Sequence, residues 1–122
     1  MNILITGGAG FIGSNLLKRI VNNNNYNIIL ADNLWRGKFE NINNIKNINF
    51  NIDKQFYDLD LNIYENCLKV TKNIDHVIHL ADVVAGINYV FKNEFSLFQL
   101  NLNINSNILK SSIVNKVKKI TY

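Results

Sequence analysis

Thr6-Gly-Gly-Ala-Gly10-Phe-Ile-Gly13-Ser14, preceded by Asn2-Ile-Leu-Ile-Thr6 and followed by Asn15-Leu-Leu-Lys-Arg-Ile-Val21, decides how this chain is read. The apolar residues before the glycines have the pattern of a buried strand, and Phe11, Ile12, Leu16, Leu17, Ile20 and Val21 recur at helical spacing. A strand therefore turns sharply into a helix. Such a turn gathers backbone N–H groups at the positive end of a helix dipole, where a diphosphate can sit without a basic side chain. Gly7 permits the tight turn, Gly10 the approach of a ligand to the backbone, and Gly13 the close packing of helix on strand. Glycines alone are weak evidence, because they also serve turns and helix starts. Here the strand, the helix and a downstream acid accompany them.

That acid is Asp32, which ends a second buried strand, Tyr26-Asn-Ile-Ile-Leu-Ala-Asp32. It lies about 20 residues past the last glycine, where a carboxylate takes the ribose hydroxyls of NAD and repels the extra phosphate of NADP. Arg36 and Lys38 follow closely and offer that phosphate a counter-charge, so the preference for NAD is moderate. Ile48, Phe50 and Ile52 alternate with Asn49 and Asn51 and predict a third strand ending between Asp53 and Asp58. Ile63, Cys67, Leu68 and Val70 predict a short helix, and Ile74–Ala81 a fourth strand apolar enough to be central. A loop is expected over Asp82–Asn88, with Val83–Val90 as an apolar wall. Phe95, Phe98, Leu102, Ile108 and Leu109 mark a long helix from about Glu94 to Val114, and Val117–Tyr122 begins a fifth strand. Strands alternating with helices predict an α/β fold: a Rossmann-type doubly wound parallel sheet of about five strands, incomplete at its carboxyl end. Residues 1–122 are read as a single NAD(P)-binding domain without repeats or linkers.

Composition narrows the function classes. The chain has 122 residues, 48% of them hydrophobic, and a net charge of +4. Its lysines are scattered, without the dense basic stripe and interleaved aromatics of a nucleic-acid surface. No apolar run approaches the ~20 residues of a membrane helix, and no leader-like segment precedes the first strand, so a cytoplasmic protein is expected. Cys67 is the single cysteine, which excludes an internal disulfide. With no CxxC or histidine partner it predicts no metal site, and packing on a helix face is its expected role.

These residues resemble the extended short-chain dehydrogenase/reductase family, which includes NAD-dependent nucleotide-sugar epimerases and dehydratases. The resemblance spans the chain and is carried by Thr6–Ser14, Asp32-Asn-Leu34 with Gly37, Asp58-Leu59, Asp75-His-Val-Ile-His-Leu-Ala81 and Asn101-Leu-Asn103. It implies NAD as cofactor, with Gly7, Gly10, Phe11, Ile12 and Gly13 lining the pyrophosphate. Asp32 and Asn33 would then meet the adenosine ribose and adenine edge, and Asp58 and Leu59 would border the adenine, with Asp53 as competing candidate. Leu80, Ala81 and Asp82 would run beside the phosphates and nicotinamide ribose, with Asn101 steadying that end. A nucleotide-sugar substrate and a homodimer formed through long helices, of which 94–114 is one, are further implications.

The chain departs from the family pattern in three places. Asp82 stands where Ala or Gly is usual, Ile104 and Asn105 replace a Gly-Thr pair, and the helix-start proline is missing. The family's proton relay resembles a Tyr with a Lys four residues on, which lowers the phenol's pKa, and a substrate-orienting Ser or Thr. No Tyr of this chain has Lys at the fourth following position. Catalytic residues are therefore expected beyond Tyr122, with none in this chain. His76 and His79 are read as packed strand histidines, and Thr121 as a strand residue. The competing reading is a stand-alone dinucleotide-binding or interaction module without catalysis.

Overall fold

The computed structural model describes residues 1–45, 47–48 and 50–122. Five strands, β1 (Asn2–Thr6), β2 (Asn27–Asp32), β3 (Phe56–Asp58), β4 (His76–His79) and β5 (Lys119–Thr121), form one sheet in the order β3-β2-β1-β4-β5. All four pairings are parallel. The helices are α1 (Phe11–Ile20), α2 (Ile52–Gln55), α3 (Tyr64–Val70), α4 (Ile87–Lys92) and α5 (Glu94–Val114).

The two-residue period of β1 separates the layers. Ile3 and Ile5 point into a cluster with Leu17 of α1 and Leu30 of β2, whereas Leu4 points the opposite way, into a cluster with Cys67, Val77, Ile104 and Ile108. With both faces covered by helices, the central strand is apolar from Ile3 to Ile5 and polar only at its ends, Asn2 and the buried Thr6. The chain leaves β1 on one side toward β2 and β3, then returns past β1 to β4 and β5. This reversal opens a crevice at the carboxyl ends of β1 and β4, where ligands of such sheets bind.

The alternation of residues 48–52 does not make a strand. Ile48 is 98% exposed, Phe50 belongs to an isolated bridge with Asn47, and Asn51 caps α2 by accepting from the Asp53 N–H at 3.0 Å. Phe50 and Ile52 still reach the core, but from a loop and a helical turn. The true third strand is Phe56–Asp58, in register with Leu30–Asp32. Its short span pairs Asp58 with Asp32 and leaves Asp53 on α2. Asn49, one of the alternating residues of that expected strand, lies outside the described residues, as does Lys46.

Two apolar rows face differently from expectation. Phe11 and Ile12 are exposed, and α1 packs through Leu17 with Leu16 and Ile20. On α5, with bounds as predicted, Phe95, Phe98, Leu102 and Leu109 point outward, while Leu97, Ile104 and Ile108 are buried. Periodicity located the helix but not its inner face, because α5 is apolar on both sides. The segment expected to be a loop to Asn88 already enters α4 at Ile87.

Cys67 is fully buried, and its thiol donates to the Leu61 carbonyl at 3.2 Å. Burial, with a smaller contribution from the Asp60 charge, pushes the thiol up to about 12. At pH 8 the folded chain should be alkylated by iodoacetamide on the order of a thousandfold more slowly than the urea-unfolded chain. Equal rates, read by mass spectrometry, would contradict the packing of α3. Among the described residues no helix is long and apolar enough to cross a membrane, and no group of three or more His, Cys, Asp or Glu is placed to hold a metal ion.

Candidate functional site

The glycine turn forms because each glycine meets a different constraint. Gly7 has φ +67°, and a Cβ there would lie 2.8 Å from the Leu80 carbonyl oxygen. A Cβ on Gly13 would lie 2.4 Å from the Gly7 oxygen, so α1 can sit this close to the turn only with glycine there. Gly10 differs. Its φ is an ordinary −72°, and a Cβ would meet only the Gly7 oxygen, at 3.1 Å. A side chain at position 10 asks the turn to give by only a few tenths of an ångström, whereas a ligand beside it would need the space itself.

Gly10 is also the N-cap of α1. It supplies no side-chain cap, and no acid occupies the first turn, whereas Lys18 and Arg19 complement the dipole in the last turn. The backbone N–H groups of this first turn, at Phe11, Ile12 and Gly13, are thus presented toward the crevice. The exposed Phe11 and Ile12 side chains take no part in its lining.

Asp32 knits the turn to the loop after β2. Its Oδ2 accepts from the Ala9 N–H at 3.0 Å and its Oδ1 from the Leu34 N–H at 2.8 Å. Leu34 is held at φ 56°, a left-handed conformation that costs a branched residue energy and persists only when its surroundings impose it. The Ala9 carbonyl in turn accepts from the Lys38 N–H and the Asn41 amide, at 3.1 and 2.8 Å. Two contacts to Asp32 leave further lone pairs on each carboxylate oxygen.

An open cleft collects these parts. Of the residues singled out from sequence, Gly7, Gly10, Asp32, Asn33, Leu59, Leu80, Ala81 and Asp82 line it. Phe11, Ile12, Gly13, Asp58 and Asn101 do not. Gly13 acts through packing, and Asp58 is exposed at the end of β3. Asn101 supports the wall from behind: its amide accepts from the Val83 N–H at 2.7 Å and donates to the Val83 carbonyl at 3.2 Å. Asp82 is exposed yet remains on the cleft wall, and Ile104, one of the departures from the family pattern, lies at its base beside the core.

Sequence reasoning missed Trp35, Asp60 and Leu61, all on the lining. Trp35 stands 6.1 Å from Tyr89 of α4, ring centre to ring centre, and so links the loop after β2 to that helix. A lone, half-exposed indole two residues past Asn33 was the available signal. Arg36 lines the cleft with its guanidinium 6.0 Å from the Trp35 ring, whereas Lys38 takes part through its backbone. The two histidines are packed and hydrogen-bonded. His79 is buried between Thr6 and Asn105, and His76 meets Thr121 Oγ1 at 2.8 Å. Burial lowers the pKa of both, opposed at His79 by its Asn105 hydrogen bond and the Asp82 charge.

A parallel sheet ordered 3-2-1-4-5, a glycine turn at its centre and an acid closing the second strand define a Rossmann-type dinucleotide-binding protein. The family can be stated as well. Residues 3–122 match the model of the NAD dependent epimerase/dehydratase family, and the chain belongs to that family. It is 34% identical over 125 residues to GDP-mannose 3,5-epimerase 1 of Oryza sativa subsp. indica, covering 100% of this chain and 30% of that protein. It is 38% identical over 87 residues to UDP-glucose 4-epimerase of Bacillus subtilis, covering 70% of this chain and 25% of that one. Among solved structures, UDP-glucose 4-epimerase of Thermotoga maritima with UDP-glucose superposes with a TM-score of 0.81 at 32% identity, over 98% of this chain and 36% of the other. The Thermus thermophilus UDP-glucose 4-epimerase complex with NAD gives a TM-score of 0.81 at 28% identity, with the same coverage. The chain thus spans about a third of the length of these relatives.

Proposed function

We propose that residues 1–122 form the NAD-binding portion of a nucleotide-sugar epimerase or dehydratase. The observation that carries this reading is Gly10: an uncapped helix start with free space beside it, in one cleft with the Asp32 carboxylate. The pyrophosphate would rest on the N–H groups of Phe11, Ile12 and Gly13, over Gly7 and Gly10. Asp32 and Asn33 would take the adenosine ribose, with Leu59 against the adenine and Asp58 at the edge of that subsite. Leu80, Ala81 and Asp82 would flank the nicotinamide half, with Asn101 holding Val83 behind them. Bound there, the nicotinamide ring would accept a hydride from a sugar carbon and return it. What this chain contributes is binding and orientation. The Tyr-x-x-x-Lys pair that would take the proton of the sugar hydroxyl does not occur in its sequence. The outward apolar row of α5, with Phe95, Phe98 and Leu102, supports self-association as in the expected homodimer.

The chain of 122 residues should bind NAD saturably in calorimetry and show no turnover with UDP-, dTDP- or GDP-sugars. Light scattering should find it larger than a monomer. Folded protein without NAD affinity would overturn the cofactor reading, and turnover above a protein-free control would overturn the reading that catalysis needs residues outside 1–122. A monodisperse monomer would count against the α5 interface alone.

A further inference from the structure

Beneath the cleft runs a chain of hydrogen bonds that the cofactor-binding reading does not use. The Thr6 hydroxyl oxygen accepts from two backbone N–H groups, Leu80 at 3.1 Å and Ala81 at 3.2 Å. The Leu80 N–H is shared with the Thr6 carbonyl at 3.2 Å, and with two N–H groups directed at the hydroxyl oxygen its own O–H is turned to His79 Nδ1 at 2.6 Å. Nδ1 must then be the unprotonated nitrogen. The ring proton lies on Nε2, which donates to Asn105 Oδ1 at 2.9 Å, and the Asn105 amide N–H donates to the Tyr122 phenol oxygen at 3.1 Å. This arrangement gives the Thr6 hydroxyl, the His79 ring proton and one Asn105 amide proton an acceptor each.

We infer that His79 is a positioning residue for the floor of the cleft, acting as a neutral imidazole protonated on Nε2. Its Nδ1 holds the Thr6 hydroxyl in the one rotamer that bridges Leu80 and Ala81. Those two residues are the ones against which Gly7 turns, at a distance that leaves no room for a Cβ. An imidazolium would carry a proton on Nδ1 facing the O–H of Thr6, so the hydroxyl would have to turn and share its oxygen with that proton, leaving the Leu80 N–H to the Thr6 carbonyl alone. The groups around the ring do little to offset this. Asp82 follows β4 and favours the cation, but β1 and α5 present the neutral Thr6 and Asn105, and Tyr122 beyond β5 presents a neutral ring at 5.7 Å. Acid should therefore loosen the floor and weaken whatever lies on it. With NAD as the ligand, this part rests on the function proposed above.

Two measurements separate the inference from that function. Nitrogen-15 NMR of the histidine rings in the free chain should show His79 as the neutral Nε2–H form at pH 7. An Nδ1–H tautomer or an imidazolium would overturn the inference whatever the chain binds. NAD titrations should then show affinity flat above pH 7 and falling as acid protonates His79 below the ordinary imidazole range, toward a limit about tenfold weaker, as for one lost buried hydrogen bond. Thr6→Val and His79→Gln, which remove the hydroxyl and the Nδ1 acceptor, should both lower affinity at pH 7 by about the same factor and flatten the acid limb. His79→Asn returns an acceptor at the Nδ1 position and should recover most of that loss, again without the acid limb. His76→Gln, at the far end of β4, should leave the profile unchanged. An acid limb that persists in His79→Asn, or that disappears in His76→Gln, would overturn the assignment. If folded wild-type protein binds no NAD, the proposed function falls and the tautomer alone decides the inference.

Discussion

Gly10→Val should weaken NAD binding by at least about a hundredfold while the chain still folds, since the clash forfeits hydrogen bonds to a charged group worth roughly 1.5–3 kcal/mol each. The backbone at Gly10 has an ordinary φ, and only the Gly7 oxygen, at 3.1 Å, lies near the added Cβ. The new methyls would instead occupy the space next to the N–H groups of α1. Replacing a glycine N-cap by an aliphatic residue costs about 1 kcal/mol, a few degrees of melting temperature for a domain of this size. Gly13→Val is the contrasting variant. Its Cβ would lie 2.4 Å from the Gly7 oxygen and 2.8 Å from the Gly8 Cα, so helix and turn cannot keep their positions. A loss of about 3 kcal/mol or failure to fold is expected. Circular dichroism and calorimetry on the pair distinguish ligand space from packing space. Undiminished binding by folded Gly10→Val would remove the glycine turn from the site.

Asp32→Ala should produce two effects of different origin. The wild type is expected to bind NAD more tightly than NADP, because a carboxylate repels the 2′-phosphate, and the variant should lose that preference. It should also lose stability, by roughly 2–4 kcal/mol, because the Ala9 and Leu34 N–H groups would be left without their acceptor. Leu34, at φ 56°, would be free to relax and take the wall containing Trp35 and Arg36 with it. Asp32→Asn keeps one carbonyl acceptor and removes the charge, so it should weaken the NAD preference with a smaller drop in stability. Titrating both cofactors alongside thermal melts resolves the two roles. Equal affinity of the wild type for NAD and NADP would overturn the ribose assignment, and an unchanged melting temperature in Asp32→Ala would overturn the structural one.

The strand–turn–helix at Asn2–Ile20, the strand ending at Asp32 and the helix at 94–114 were legible in the sequence because each is a local matter of period and turn chemistry. Glycine where no side chain fits, a carboxylate at a strand end and apolar residues at fixed intervals are written in neighbouring residues. The order of the strands was legible only as a class, since alternating strands and helices with right-handed crossovers leave few arrangements.

What depends on partners distant in sequence was decided by the tertiary structure alone. The alternation at 48–52 satisfies the local rule for a strand, but β2 offers its free edge to Phe56–Asp58, so the pairing forms there and Asn51 starts a helical turn instead. The inner face of α5 is set by which residues meet β4 and α3: Ile104 and Ile108 join that cluster, and Leu97 is buried nearer the helix start, while an equally apolar row stays outside. Trp35 lines the cleft with its ring against Tyr89, 54 residues on, a contact no local rule reveals. The proton on His79 has the same kind of origin: its location follows from Thr6 and Asn105, and through them from two backbone N–H groups that only the closed sheet brings to one hydroxyl oxygen.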